Sequence, residues 1–239
     1  MENYQLRRDH MFSFKRFVIL ILTAVILTAG VSAQMTVEQS YLRETMEIMI
    51  IRETARSQTR EQKMIALEYI GNALDRGSTN DEIRQTLEYL ANEGRRSVAR
   101  ENNRIVNNYP EIRRQAVKYL GQIGNEEARK SLIVILQSEN EPAVLQETIK
   151  ALGDIGTNEN NETAANIAWI MDRNNNLNPD NLMALATIDA FEKIAKRNNG
   201  LNSPEAVQTL IRISSDTRFI TPVRERARQV VADLRSYGR

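Results

Sequence analysis

The chain has 239 residues, 41% hydrophobic and 26% charged, which is apolar enough to bury a core and charged enough to stay soluble, so disorder is a poor global reading. Aromatics make up only 5%, and the abundant residues include Ala, Ile, Leu, Glu, Gln and Arg. These lose little rotamer freedom in helices or pack between them, which predicts an all-helical fold. The net charge is +1, and the lack of cysteine excludes disulfides and a lipidated cysteine after a leader.

At the N-terminus Lys15 and Arg16 precede the apolar run Phe17 to Ala29, and Val31-Ser32-Ala33 before Gln34 has the small residues of a cleavage site. Residues 1–33 are therefore expected to be a secretory signal, with Met11 a candidate start, and the protein to be exported to the periplasm or cell envelope. The run is shorter than the roughly 20 residues that span a bilayer, an uncleaved anchor being the alternative and the chain's one expected tie to a membrane. Cleavage takes four of the 32 basic and two of the 31 acidic residues, leaving a net charge of about −1. A general nucleic-acid binder usually concentrates positive charge to neutralise phosphates, and a near-neutral mature chain argues against one.

Cleavage also removes His10, the sole histidine. Without His or Cys no Ser-His-Asp triad, Cys-His dyad or ordinary zinc site can form, so no catalytic residue, metal ligand or cofactor is assigned. Carboxylate and lysine chemistry survive this exclusion. Glu126 and Glu127, Glu139 and Glu141, and Asp75 fall at expected helix ends or polar faces, where solvated charges are the ordinary explanation. Gly121-Gln122-Ile123-Gly124 has neither the spacing nor the following Lys-Ser/Thr of a phosphate loop.

Thr36-Val37-Glu38-Gln39 predicts a capping box that opens a helix through Ile51, with Leu42, Met46, Met49 and Ile50 on one face. Residues 34–58 are expected to cap the repeats of 59–239, a membrane-proximal or oligomerising helix being the alternative. A second helix, Asp81 to Asn92, should bury Ile83, Leu87 and Leu90 and stop at Gly94. Arg95, Arg96, Arg100 and Arg104 follow within ten residues, and Arg113 and Arg114 open the next unit. They form either a solvated helix face or an anion-binding ridge. The C-terminal cluster Arg224, Arg226, Arg228 and Arg235 has the same ordinary reading.

From residue 109 a period emerges. Tyr109 to Gly124 aligns without a gap on Glu141 to Gly156, 32 residues on, and Pro, a branched residue two later, Leu, Gly, Ile and Gly recur in register. Pro222 to Leu234 is a third copy after one deletion, Gln62 to Gly71 a weaker fourth, and the stretch around Pro179 and Thr187 to Ile194 a faint fifth. Proline suits the first helical turn, and Ile112, Ala116, Leu120 and Ile123 make one apolar stripe. Gly124 and Gly156 suit the left-handed position past a helix end, while Gly121 and Gly153 should sit where a neighbouring backbone comes close. A second helix follows each copy, with apolar faces Ala128, Leu132, Ile135 and Leu136, then Ala165, Ile167, Ala168 and Ile170. Trp169, the single tryptophan, has packing against the next unit as its ordinary role and a partner anchor as the functional one. The Asn-rich stretches 158–161 and 174–181 look like lengthened turns.

The string carried by Ile112-Arg113, Ala116, Leu120-Gly121 and Ile123-Gly124 resembles HEAT repeats, the short variety also found in phycobilisome lyases. Leu145 and Thr148 depart from it in the second unit. Over roughly 60–236 the resemblance implies an α-solenoid, a superhelix of stacked antiparallel helix pairs, used as a binding scaffold. The bilin attachment of the lyase subgroup is not expected, because no reactive cofactor motif is present. Three functions follow as expectations. The first is an exported, non-enzymatic scaffold for a protein partner, with Arg95, Arg96, Arg100, Arg104, Arg113, Arg114 and Trp169 as candidate contacts. The second is a binder of acidic lipid or glycan through the arginines. The third is a carboxylate-type enzyme or enzyme subunit acting on envelope polymers, which a cleft with two buried carboxylates would favour.

Overall fold

The computed structural model describes residues 37–95 and 98–237. The expected signal, its cleavage site and Thr36 of the expected capping box lie outside the described residues. The chain divides into two compact units with the boundary between Glu47 and Ile48, inside the first described helix, α1, Val37–Arg56. In the first unit Tyr41, Leu42 and Met46 are exposed. In the second unit α1 continues to Arg56, five residues past the expected end, with Met49 and Ile50 exposed and Ile51 and Ala55 buried. The expected apolar face is therefore not the packed one. Among the described residues no helix is long and apolar enough to cross a membrane.

The rest of the second unit is almost wholly helical: α2 Arg60–Asp75, α3 Asp81–Ala91, α4 Pro110–Ile123, α5 Glu126–Ser138, α6 Pro142–Ile155, α7 Glu162–Leu177, α8 Asn181–Asn198, α9 Pro204–Ser215 and α10 Thr221–Leu234. A short 3₁₀ turn, Glu159–Asn161, leads into α7. Local chemistry sets the starts. Asn80, Asn125, Asp180 and Ser203 accept from amides of the first turn, and Pro110, Pro142, Pro204 and Pro222 sit in first turns where no backbone donor is lost. Gly124 at φ 66° and Gly156 at φ 70° close α4 and α6 in the left-handed conformation the sequence predicts.

The helices pack in two layers. In one layer α2, α4, α6, α8 and α10 each meet the next, and in the other α3, α5, α7 and α9 do the same. The five sequence copies are the five helices of the first layer. Their stripe is buried at Ile112, Ala116 and Leu120 of α4 and at Val144, Leu145, Ile149 and Leu152 of α6, while Ile123 is half-buried. Each large apolar side chain so buried contributes about 1.5–3 kcal/mol. A Cβ on Gly121 would lie 2.7 Å from the Ala151 Cβ, and one on Gly153 would lie 2.6 Å from the Ala190 Cα. The bare positions let α4, α6 and α8 approach closely. In the second layer Ala164, rather than Ala165, joins Ile167, Ala168 and Ile170 in the core. Arg129, buried on α5, bonds Glu126 of its own first turn and Thr163 and Glu162 of α7, tying those two helix starts together.

The α3–α4 connection departs from the expected helix face. It forms a small antiparallel hairpin, β1 Arg100–Glu101 with β2 Arg104–Ile105, in register Arg100↔Ile105 and Glu101↔Arg104. Asn102 and Asn103, at φ 46° and 65°, make the two-residue turn, a conformation asparagine tolerates better than most residues. Arg100 and Arg104 therefore ride on a hairpin, not on a helix.

Candidate functional site

Two of the arginines singled out from sequence, Arg95 and Arg113, converge on a carboxylate read there as solvated. Glu139 caps the C-terminus of α5 and is only 1% exposed. Its Oε1 accepts from the Asn140 and Glu141 amides at 2.8 and 2.9 Å and from Arg95 Nη1 at 2.8 Å, while its Oε2 accepts from Arg113 Nε at 2.8 Å. Burial pushes the Glu139 carboxyl upward, but the two loop amides and the Arg113 guanidinium outweigh it and hold the group below its ordinary value. The solvated-end expectation for Glu139 is corrected: the α5–α6 turn folds this side chain back under the arginines.

Arg113 is corrected as well. It is buried, and besides Glu139 it donates to the Glu93 carbonyl at 3.1 Å and to Asn108 Oδ1 at 2.8 Å, so it holds α4 against neighbouring segments and is not available to a partner. Arg95 is one-quarter exposed and keeps one side toward solvent. Arg100 is exposed on β1 and donates to the Asn103 carbonyl at 3.3 Å. Arg114 is exposed on α4. Arg104 lies in β2 opposite Glu101, and Arg96 lies outside the described residues.

Trp169 is 52% exposed, so packing against the next unit is not its main role. Arg173, one turn later on α7, places its guanidinium carbon 5.0 Å from the ring centroid and donates from Nη2 to the Glu139 carbonyl at 3.1 Å. Glu139 thus joins Arg95 and Arg113 through its carboxylate to the Trp169–Arg173 pair through its carbonyl. Sequence reasoning passed over Arg173, although the Trp-x-x-x-Arg spacing that puts a cation on the same helix face was visible.

Beneath the hairpin lies a second buried chain. Lys63 Nζ pairs with Glu93 Oε2 at 2.9 Å, donates to the Ala55 carbonyl at 3.0 Å and stands 5.1 Å from the Tyr89 ring. Glu93 Oε1 accepts from Asn107 Nδ2 at 2.8 Å, and Asn107 Oδ1 accepts from the Ala99 amide at 2.9 Å. Gly94 at φ 72° presses on the Asn107 carbonyl, where a Cβ would collide with it. The hairpin stem is therefore fixed by buried charge. Nothing in the sequence flagged Lys63, Glu93 or Asn107 beyond the Gly94 stop.

Two buried carboxylates, Glu93 and Glu139, exist, but each is neutralised by a cation at hydrogen-bond distance. A groove of about 220 Å³ between α1 and α3 is lined by Arg52, Ala55, Arg56, Glu82, Gln85, Thr86 and Tyr89, and includes neither carboxylate. The arrangement suits structural clamping better than acid–base chemistry. A family model described as HEAT repeats matches residues 103–176, a span that holds Arg113, Glu139, Trp169 and Arg173. No curated protein was found to match the chain.

Proposed function

We propose, on the match of residues 103–176 to a HEAT-repeat family model, that the chain is an exported, non-enzymatic scaffold for a protein partner in the periplasm or cell envelope. HEAT repeats generally act as protein-interaction scaffolds. The two layers of the second unit are read as a superhelix of stacked antiparallel helix pairs with a cleaved signal at residues 1–33, capped by 34–58 and built from repeats over 59–239.

The observation that carries the reading is the half-exposed Trp169 braced by Arg173. Aromatic and arginine side chains dominate binding energy at interfaces because they present large area with little loss of rotamer freedom. An isolated exposed tryptophan exposes apolar surface to water, whereas one held rigid by a cation is ready to be covered. Arg95 adds a charged edge through the shared Glu139. The acidic lipid or glycan reading loses Arg95 and Arg113 to Glu139, which leaves it Arg100 and Arg114 as exposed contacts among the described side chains.

The test is affinity capture from the envelope fraction with the wild-type chain and with Trp169→Ala. Recovery of one stoichiometric protein with the wild type and its loss with Trp169→Ala supports the reading. Equal recovery by both rejects Trp169 as the anchor. Recovery of lipid or glycan alone, lost steeply with salt, rejects the protein scaffold.

A further inference from the structure

We propose that the hairpin of residues 98–107 is a recognition element that takes an extended acidic segment of the protein partner, its apolar residues alternating with carboxylates. The inference rests on the protein-scaffold reading and deepens it by giving the partner's chemistry.

A repeat pair needs only a short turn between α3 and α4, yet the chain spends 18 residues, 92–109, between Ala91 and Pro110. Much of this connection is braced from below. Lys63 and Glu93 are buried as an ion pair, and Glu93 reaches the Ala99 amide through Asn107. Arg95 is drawn onto Glu139 from the other side. Buried charges contribute little net stability compared with well-packed apolar groups, but they fix geometry. Here they fix a hairpin of which Val98, Arg100, Ile105 and Val106 are left exposed.

By strand alternation and register, Val98, Arg100 and Ile105 share a face, and all three are exposed. Val106, paired to Ala99 by a backbone bond of 3.0 Å, is exposed on the other face. β-Branched residues of a hairpin are ordinarily covered. Between residues 98 and 106 the sequence holds Arg100 and Arg104 against the single Glu101, in a chain whose overall charge is near neutral.

The sheet contains β1 and β2 alone, so among the described residues no third strand covers the outer edge of either. An added strand satisfies that edge by main-chain hydrogen bonds, and side-chain alternation then supplies specificity. Arginine on the template calls for carboxylates on the guest, and the Val98 and Ile105 positions call for apolar residues between them.

The experiment uses the protein as processed and purified from expressing cells, with fluorescently labelled short peptides of alternating Glu and Val or alternating Lys and Val, read by anisotropy. The Glu-Val peptide is expected to bind saturably and the Lys-Val peptide not. In the double variant Arg100→Glu, Ile105→Ser affinity should drop about tenfold or more, the scale of a lost charge contact together with an apolar one. Both positions are exposed, and an unchanged melting temperature confirms that the variant folds. Absence of saturable Glu-Val binding, equal binding of both peptides, undiminished binding by the variant, or binding of phosphatidylglycerol vesicles in place of the peptide overturns the inference. Trp169-dependent capture of a protein that is retained by the hairpin variant would also overturn it while leaving the scaffold reading standing. Loss of capture by every variant and by the wild type would instead remove the scaffold reading itself.

Discussion

Arg173 and Trp169 are locked together: the guanidinium lies 5.0 Å from the ring centroid and also donates to the Glu139 carbonyl at 3.1 Å. A half-exposed indole is thereby held on the same junction that anchors Arg95 and Arg113. Trp169→Ala should therefore cost affinity far more than stability. Partner binding is expected to weaken at least about tenfold, while unfolding free energy changes by less than about 1 kcal/mol because the ring is half in water already. Urea denaturation beside a binding titration checks both numbers. Arg173→Ala should reproduce part of the binding loss by freeing the ring.

Glu139→Ala strips the counter-charge from buried Arg113, and loss of one member of a buried pair costs about 3–5 kcal/mol. Replacing both partners together, Glu139→Leu with Arg113→Met, should recover most of that loss because no fully buried charge is then left unpaired, the Arg95 side chain being one-quarter exposed. Chemical denaturation of the three variants decides it, and a double variant as unstable as Glu139→Ala would show that hydrogen-bond geometry, not unpaired charge, sets the cost.

The same carboxyl makes stability depend on pH. Its folded-state pKa is held below the ordinary 4.5, so its contribution is fully present above that value and fades as pH falls through the lower folded-state pKa. The stability difference between wild type and Glu139→Gln should be flat from about pH 7 to 5 and shrink below about 4.5, measured by denaturation across that range.

Gly153→Ala should be destabilising although alanine is the better helix former by about 1 kcal/mol. Its Cβ would stand 2.6 Å from the Ala190 Cα and 2.8 Å from the Ala190 Cβ, forcing α6 from α8 at a net cost of about 1–3 kcal/mol. Gly77, at φ 82° with no heavy atom within 4 Å of a Cβ, is the contrast: Gly77→Asn should change stability by less than about 1 kcal/mol. Thermal melts of the two variants test the close approach directly.

The helices were legible in sequence where the signal is local. Proline at a first turn, glycine past a helix end and the Ile112–Ala116–Leu120 stripe all act within one helix, and even the close approach at Gly121 and Gly153 left its mark as a repeated small residue. The hairpin was not legible, because a run of arginines suits a solvated helix face as well as a strand and the Asn102-Asn103 turn is its single local cue. Glu139 was misread because its partners lie 44 and 26 residues away, at Arg95 and Arg113. Burial of Arg113 and exposure of Trp169 are set by the packing of the whole unit, which residue type cannot show.

Site-specific photo-crosslinking tests the central claim most directly. A photoreactive phenylalanine analogue in place of Trp169, activated in intact cells, should yield one discrete protein adduct recovered from the envelope fraction, with the captured chain beginning at Gln34. No protein adduct at Trp169, or adducts with lipid or glycan only, would contradict a protein-binding scaffold.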